Sequence, residues 1–131
     1  AGVARASRVF SMALHHQLPI YKLASDLASL AADLAKNMPR DFKRTLGEKV
    51  LMECIEVTIL IFRANIAVGQ AKVPYIQQIL ERIQVIELML RLAIDKRLIS
   101  PRQFARAIEI TDPIGRQATG WKKNAATSPA A

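Results

Sequence analysis

The chain predicts an all-α fold, an antiparallel up-down four-helix bundle, on three observations. From Leu18 onward, apolar residues recur at steps of three and four in four successive segments, and no alternating run of strand character appears. Hydrophobic residues fill 51% of the 131 positions, which supports one packed interior and leaves no room for a second. Glycines number five and aromatics reach only 5%, which counts against many-stranded barrels, glycine-rich phosphate loops and repeated base-stacking platforms.

Residues 1–17 read as a flexible leader or vector-derived extension. They begin with alanine, carry Arg5 and Arg8 with no acid, and have too short an apolar part for a secretory signal. The first helix then places Leu23, Leu27, Leu30 and Leu34 on one side, with Lys22, Ser25, Asp26, Ser29, Asp33 and Lys36 opposite. Residues 37–41 break it: Pro39 disfavours helical geometry at Met38, and Asp41 is expected to cap the next helix.

The second helix is predicted over 42–70, with an inward stripe of Leu46, Val50, Cys54, Val57, Ile61, Ala64 and Val68. On a wheel of about 100° per residue, Leu51, Ile55, Ile59, Phe62 and Ile66 form an adjoining apolar side. Only a narrow polar wedge remains around Lys49, Glu53, Glu56 and Arg63. The third helix, 74–98, opens at Pro74 and faces inward through Ile76, Ile79, Ile83, Ile86, Leu90 and Ile94. In its second half Val85, Leu88, Met89 and Leu92 add another apolar side. A bundle helix buries one stripe, so the surplus sides of the middle two helices predict self-association, with Leu51, Ile55, Ile59, Phe62, Val85, Leu88, Met89 and Leu92 at the interface.

The fourth helix starts where Ser100 caps Pro101, and turns Phe104, Ala107, Ile108, Thr111, Ile114, Ala118 and Trp121 inward. Pro113 falls on the solvent side and is expected to kink the helix near residues 111–113. The bundle domain is thus placed at 18–123, with a frayed tail over 124–131.

Catalytic chemistry finds few anchors. The two histidines, His15 and His16, both lie in the leader, so no triad and no helical Glu-x-x-His metal motif can be assembled. Cys54 sits on an apolar helix side and reads as a core residue; a lone cysteine also points to a reducing, cytoplasmic compartment. Glu53 and Glu56 are better explained as salt-paired surface carboxylates than as a general acid and base. No metal, cofactor or enzymatic activity is therefore expected. Nor is a membrane: Arg63 ends the apolar run 57–62 and Arg91 interrupts 88–92, well short of a spanning segment.

The formal net charge is +8, which favours an acidic partner such as nucleic acid. Along the chain the excess grows toward the third loop and the last helix. Arg40, Lys43 and Arg44 cluster at the first connection; Lys96, Arg97, Arg102 and Arg106 cluster at the third. In an antiparallel bundle these connections share an end, so the clusters can form one anion-binding surface, with solvation and helix capping as the alternatives. Arg91 lies in an apolar run, where it either pairs with Glu87 one turn earlier or points into the lumen of a ring of copies.

Five stretches carry a resemblance: Leu18-Pro19-Ile20-Tyr21-Lys22, Pro39-Arg40-Asp41-Phe42-Lys43-Arg44-Thr45-Leu46-Gly47-Glu48-Lys49, Arg63-Ala64-Asn65, Leu90-Arg91-Leu92-Ala93 and Gly120-Trp121. In order and spacing over about residues 18–123, they resemble the Avd-like four-helix-bundle proteins. These are accessory variability determinants of diversity-generating retroelements, related to bundle proteins encoded in 23S ribosomal RNA intervening sequences. The resemblance implies a homopentameric barrel and a non-enzymatic partner of a reverse transcriptase and its template RNA or DNA in mutagenic retrohoming. It carries over a basic position of the third helix to Arg91, and the basic connection to Arg40, Lys43, Arg44 and Lys49. Glu87 stands where relatives commonly have lysine or arginine. The alternative function is an intervening-sequence-type bundle protein, or a structural oligomer whose charge serves solubility alone.

Overall fold

The structure, a computed structural model, describes residues 18–128. The predicted leader lies outside the described residues, as do positions 129–131 of the predicted tail. All regular structure among the described residues is helical.

Helix α1 spans Pro19–Lys36, with extended Leu18 as its N-cap and Pro19 in its first turn. Its buried line is Ile20, Ala24, Leu27, Ala31, Leu34 and Ala35, while Leu23 and Leu30 are half-buried at the margins. The inward face is thus rotated from the expected leucine stripe toward the alanines, whose small side chains let neighbouring helices approach closely.

The next rod begins with one α-helical turn, Arg40–Phe42, passes through a π-helical turn, Lys43–Gly47, and continues as α2, Glu48–Ile66. Pro39, not Asp41, occupies the N-cap position, and Asp41 lies inside the first turn. There its backbone carbonyl accepts a 2.8 Å hydrogen bond from the Thr45 hydroxyl. Gly47 closes the π turn where the rod crosses α1. A Cβ at this position would stand 3.0 Å from Ala35 Cβ, 3.1 Å from Ala35 Cα and 3.2 Å from Met38 Sδ, so any side chain here would have to push α1 back slightly.

Helix α2 stops at Ile66, earlier than the expected residue 70, because Ala67 is extended and Gly69 adopts a left-handed φ of 58°. Val68 is consequently exposed rather than inward-facing. A 3-10 turn, Gly69–Lys72, leads into α3, Val73–Asp95. Leu98 N–H donates to Ala93 O at 2.8 Å and Arg97 N–H to Ile94 O at 3.0 Å, closing α3 in a Schellman motif with Arg97 left-handed at φ 58°. Helix α3 ends at Asp95, so positions 96–98 belong to this cap.

Helix α4, Pro101–Ala126, opens with a capping box: Gln103 N–H donates to Ser100 Oγ at 3.1 Å, and Ser100 N–H to Gln103 Oε1 at 2.7 Å. It runs unbroken through Pro113, which is half-buried rather than on the solvent side. Positions 124–126 belong to this helix instead of a frayed tail, since Ala125 is buried and Gln70 Nε2 donates to Ser128 O at 3.0 Å.

The helices pack cyclically, α1 and α3 each against both α2 and α4, around Leu27, Leu60, Ile61, Ile76, Ile79, Ile86, Leu90 and Ile114. The α1–α2 and α3–α4 connections share one end of the bundle. The α2–α3 connection, the start of α1 and the end of α4 share the other.

Candidate nucleic-acid interface

All nine basic residues singled out from the sequence, Arg40, Lys43, Arg44, Lys49, Arg91, Lys96, Arg97, Arg102 and Arg106, are exposed. Lys43 and Arg44 project from the π turn beside Arg40, at the same end as Lys96 and Arg97 of the α3 cap and Arg102 of the first α4 turn. Arg97 holds a left-handed conformation that costs a side-chain-bearing residue about 1–2 kcal/mol. Glycine is the usual occupant of such a cap. Asp41, Glu48 and Asp95 are exposed at this end too, so positive and negative charge are interleaved there.

Arg91 does not pair with Glu87. Its guanidinium lies 5.3 Å from the centroid of the Phe104 ring, a cation–π contact joining α3 to α4. Glu87 instead lines an open groove of about 420 Å3 between these helices, together with Thr111, Asp112 and Arg116. The one ion pair among the described residues joins Arg82 Nη1 to Glu53 Oε1 at 3.1 Å, tying α3 to α2. Glu53 thus does serve as a paired carboxylate, while Glu56 has no such partner.

Of the expected interface residues, Leu88 is 71% exposed and Leu92 47%, with Val85, Ile55 and Ile59 also exposed; Leu51, Phe62 and Met89 are half-buried. Two members of the apolar surface were missed. Met52 is 62% exposed, and Phe42 stands out from the turn before the π segment. Their signal lay in the wheel: Met52 borders the Ile55 and Ile59 side, but a single methionine beside the polar wedge reads as its edge.

Two further groups are explained by burial. Cys54 is fully buried, and desolvation, with a smaller push from the Glu53 charge, raises its thiol to about 12, so it does not act as a nucleophile near neutrality. Lys72, which the helical periodicity did not single out, donates to Ala64 O at 2.9 Å and Asn65 O at 3.1 Å and lies 5.9 Å from the Trp121 ring centroid. It closes the C-terminus of α2, and partial burial lowers its pKa. Among the described residues no cluster of three His, Cys, Asp or Glu is placed to hold a metal ion, and no helix is long and apolar enough to cross a membrane.

Four packed helices with a buried cysteine, scattered carboxylates and exposed basic and apolar surfaces define an all-helical bundle. The bAvd-like family model matches residues 18–125, and the chain belongs to that family, one of accessory, non-catalytic proteins. No curated protein and no solved structure matches the chain.

Proposed function

We propose that the protein is an accessory factor of a diversity-generating retroelement, binding nucleic acid and a reverse transcriptase to support mutagenic retrohoming. Membership of the bAvd-like family over residues 18–125 carries this reading. The polymerase supplies the chemistry; this chain supplies a scaffold. Its exposed Leu88, Leu92, Val85, Ile55 and Ile59 are surfaces on which copies of the chain associate, as a pentamer by family likeness. Its exposed bases at the end formed by the first and third connections, led by Arg40, Lys43 and Arg44, meet phosphate groups of the template.

A gel-retardation titration with structured RNA tests the nucleic-acid part. Retention weakens steeply from low to moderate salt, because each neutralised phosphate releases counterions. Changing Arg40, Lys43 and Arg44 together to Glu is expected to weaken it further. Retention insensitive to salt refutes the electrostatic basis. Co-purification with a reverse transcriptase of a diversity-generating retroelement tests the second partner.

A further inference from the structure

Folding sorts the charge in a way that chain order conceals. The end of the bundle holding the start of α1, the end of α2, the start of α3 and the end of α4 is built from segments 18–25, 57–80 and 113–128. These segments contain Lys22, Arg63, Lys72, Arg116, Lys122 and Lys123 and not one Asp or Glu. All eleven acidic residues fall in 26–56 and 81–112, where basic residues match them one for one. At the end carrying the first and third connections Asp41, Glu48 and Asp95 stand among the bases, whereas along α1 the opposite end meets its first acid, Asp26, only one turn beyond Lys22.

Hydrogen bonds between distant positions show that these segments converge. Lys122 Nζ donates to Gln77 Oε1 at 2.6 Å, and Gln70 Nε2 to Ser128 O at 3.0 Å. Leu18, Pro19, Ile20, Asn65, Gln117 and Trp121 line a common recess of about 230 Å3. Lys72 and Lys122 are engaged in holding the fold, and Arg116 stands at the border, on the groove that Glu87 and Asp112 also line. Lys22, Arg63 and Lys123 remain as exposed cations around this end. A half-buried indole, two carboxamide side chains and a small apolar floor, ringed by cations with Asp26 as the nearest acid along α1, match an unpaired base and its phosphates. A protein segment needs no such excess of positive charge, and a duplex keeps its bases stacked away from a recess.

We propose that this end binds single-stranded nucleic acid, with one base entering the Trp121 recess and the flanking phosphates meeting Lys22, Arg63 and Lys123. The inference rests on the proposed nucleic-acid role and adds to it a contact at the end opposite the Arg40, Lys43 and Arg44 cluster.

Trp121 is the chain's single tryptophan, so its emission reports the recess directly. The full chain is titrated with oligothymidylate and oligouridylate of about twelve nucleotides, with folding of each variant checked by far-ultraviolet circular dichroism. Saturable quenching is expected, stronger with single strands than with a duplex of equal length. Changing Lys22, Arg63 and Lys123 together to Ala should reduce the slope of log affinity against log salt by about 2, since each neutralised phosphate of a single strand contributes roughly 0.7. The triple change of Arg40, Lys43 and Arg44 to Ala should leave the quenching in place.

Equal quenching by duplex, or quenching unaltered in the Lys22, Arg63 and Lys123 variant, overturns the proposal. So does emission that shifts with protein concentration before any oligonucleotide is added, which assigns the recess to a second copy. Gel retardation that persists without quenching, and is removed by the Arg40, Lys43 and Arg44 change, overturns this inference and leaves the retroelement reading standing. Absence of binding in both assays removes the two together.

Discussion

Two glycine-to-alanine changes, at Gly47 and Gly115, isolate the energetic weight of the crossing between α1 and the π turn. Both glycines are helical, so each substitution gains about 1 kcal/mol from reduced backbone freedom. They differ in space. At Gly115 an added Cβ meets nothing within 4 Å. At Gly47 it meets Ala35 Cβ at 3.0 Å and Ala35 Cα at 3.1 Å, and the latter is backbone that moves only if the two helices separate. Overpacking of this kind costs about 1–3 kcal/mol. Gly115→Ala should therefore stabilise by about 1 kcal/mol, and Gly47→Ala should lie about 1–3 kcal/mol below it. Urea unfolding at one protein concentration, followed by circular dichroism and Trp121 emission, measures the difference independently of the helix-propensity gain that both variants share. Adding Ala35→Gly to Gly47→Ala removes the nearest atom and should recover part of the deficit. A Gly47→Ala variant as stable as Gly115→Ala refutes the close-approach argument.

Three other outcomes are expected. Changing Leu88 and Leu92 together to Lys, at positions 71% and 47% exposed, should leave helicity intact and reduce particle mass in light scattering; unchanged mass means that this side of α3 is not an interface. Replacing Arg97 by Gly relieves a side chain at φ 58° and should raise stability by about 0.5–1 kcal/mol, while a decrease would show that the arginine side chain holds the cap. Burial holds the Cys54 thiol at about 12 when folded, against 9.0 unfolded. Its contribution to stability is complete below pH 9 and falls between pH 9 and 12 by about 1.4 kcal/mol per unit. Wild type should accordingly lose stability relative to Cys54→Ala over that range, and parallel pH profiles would contradict the assignment.

Much of the fold was legible because helices announce themselves locally. The Ile76, Ile79, Ile83, Ile86 and Leu90 stripe is buried as expected, and Ser100 with Pro101 begins α4 where the capping rule puts it. The misplacements fall where a distant residue decides. The early end of α2 is settled by Lys72 reaching back to Ala64 and Asn65, and the helical state of 124–126 by burial of Ala125 and the Gln70 bond to Ser128. Arg91 next to Glu87 looked like a one-turn ion pair, yet Phe104 on another helix took the guanidinium. Periodicity assigns a face but cannot name the neighbour that the face will meet.

The sequence by itself determined the class of fold, the start of α4 and the surplus apolar sides, because 3.6-residue periodicity, proline and cap chemistry act within a few positions of one another. Tertiary structure alone decided which charges become neighbours. Residues 18–25, 57–80 and 113–128 are unremarkable as separate stretches, and summing charge along the chain had pointed to the third loop and last helix. Antiparallel packing folds the chain back on itself and stacks these stretches at one end, so Lys22, Arg63 and Lys123 become neighbours of one recess that no single segment displays.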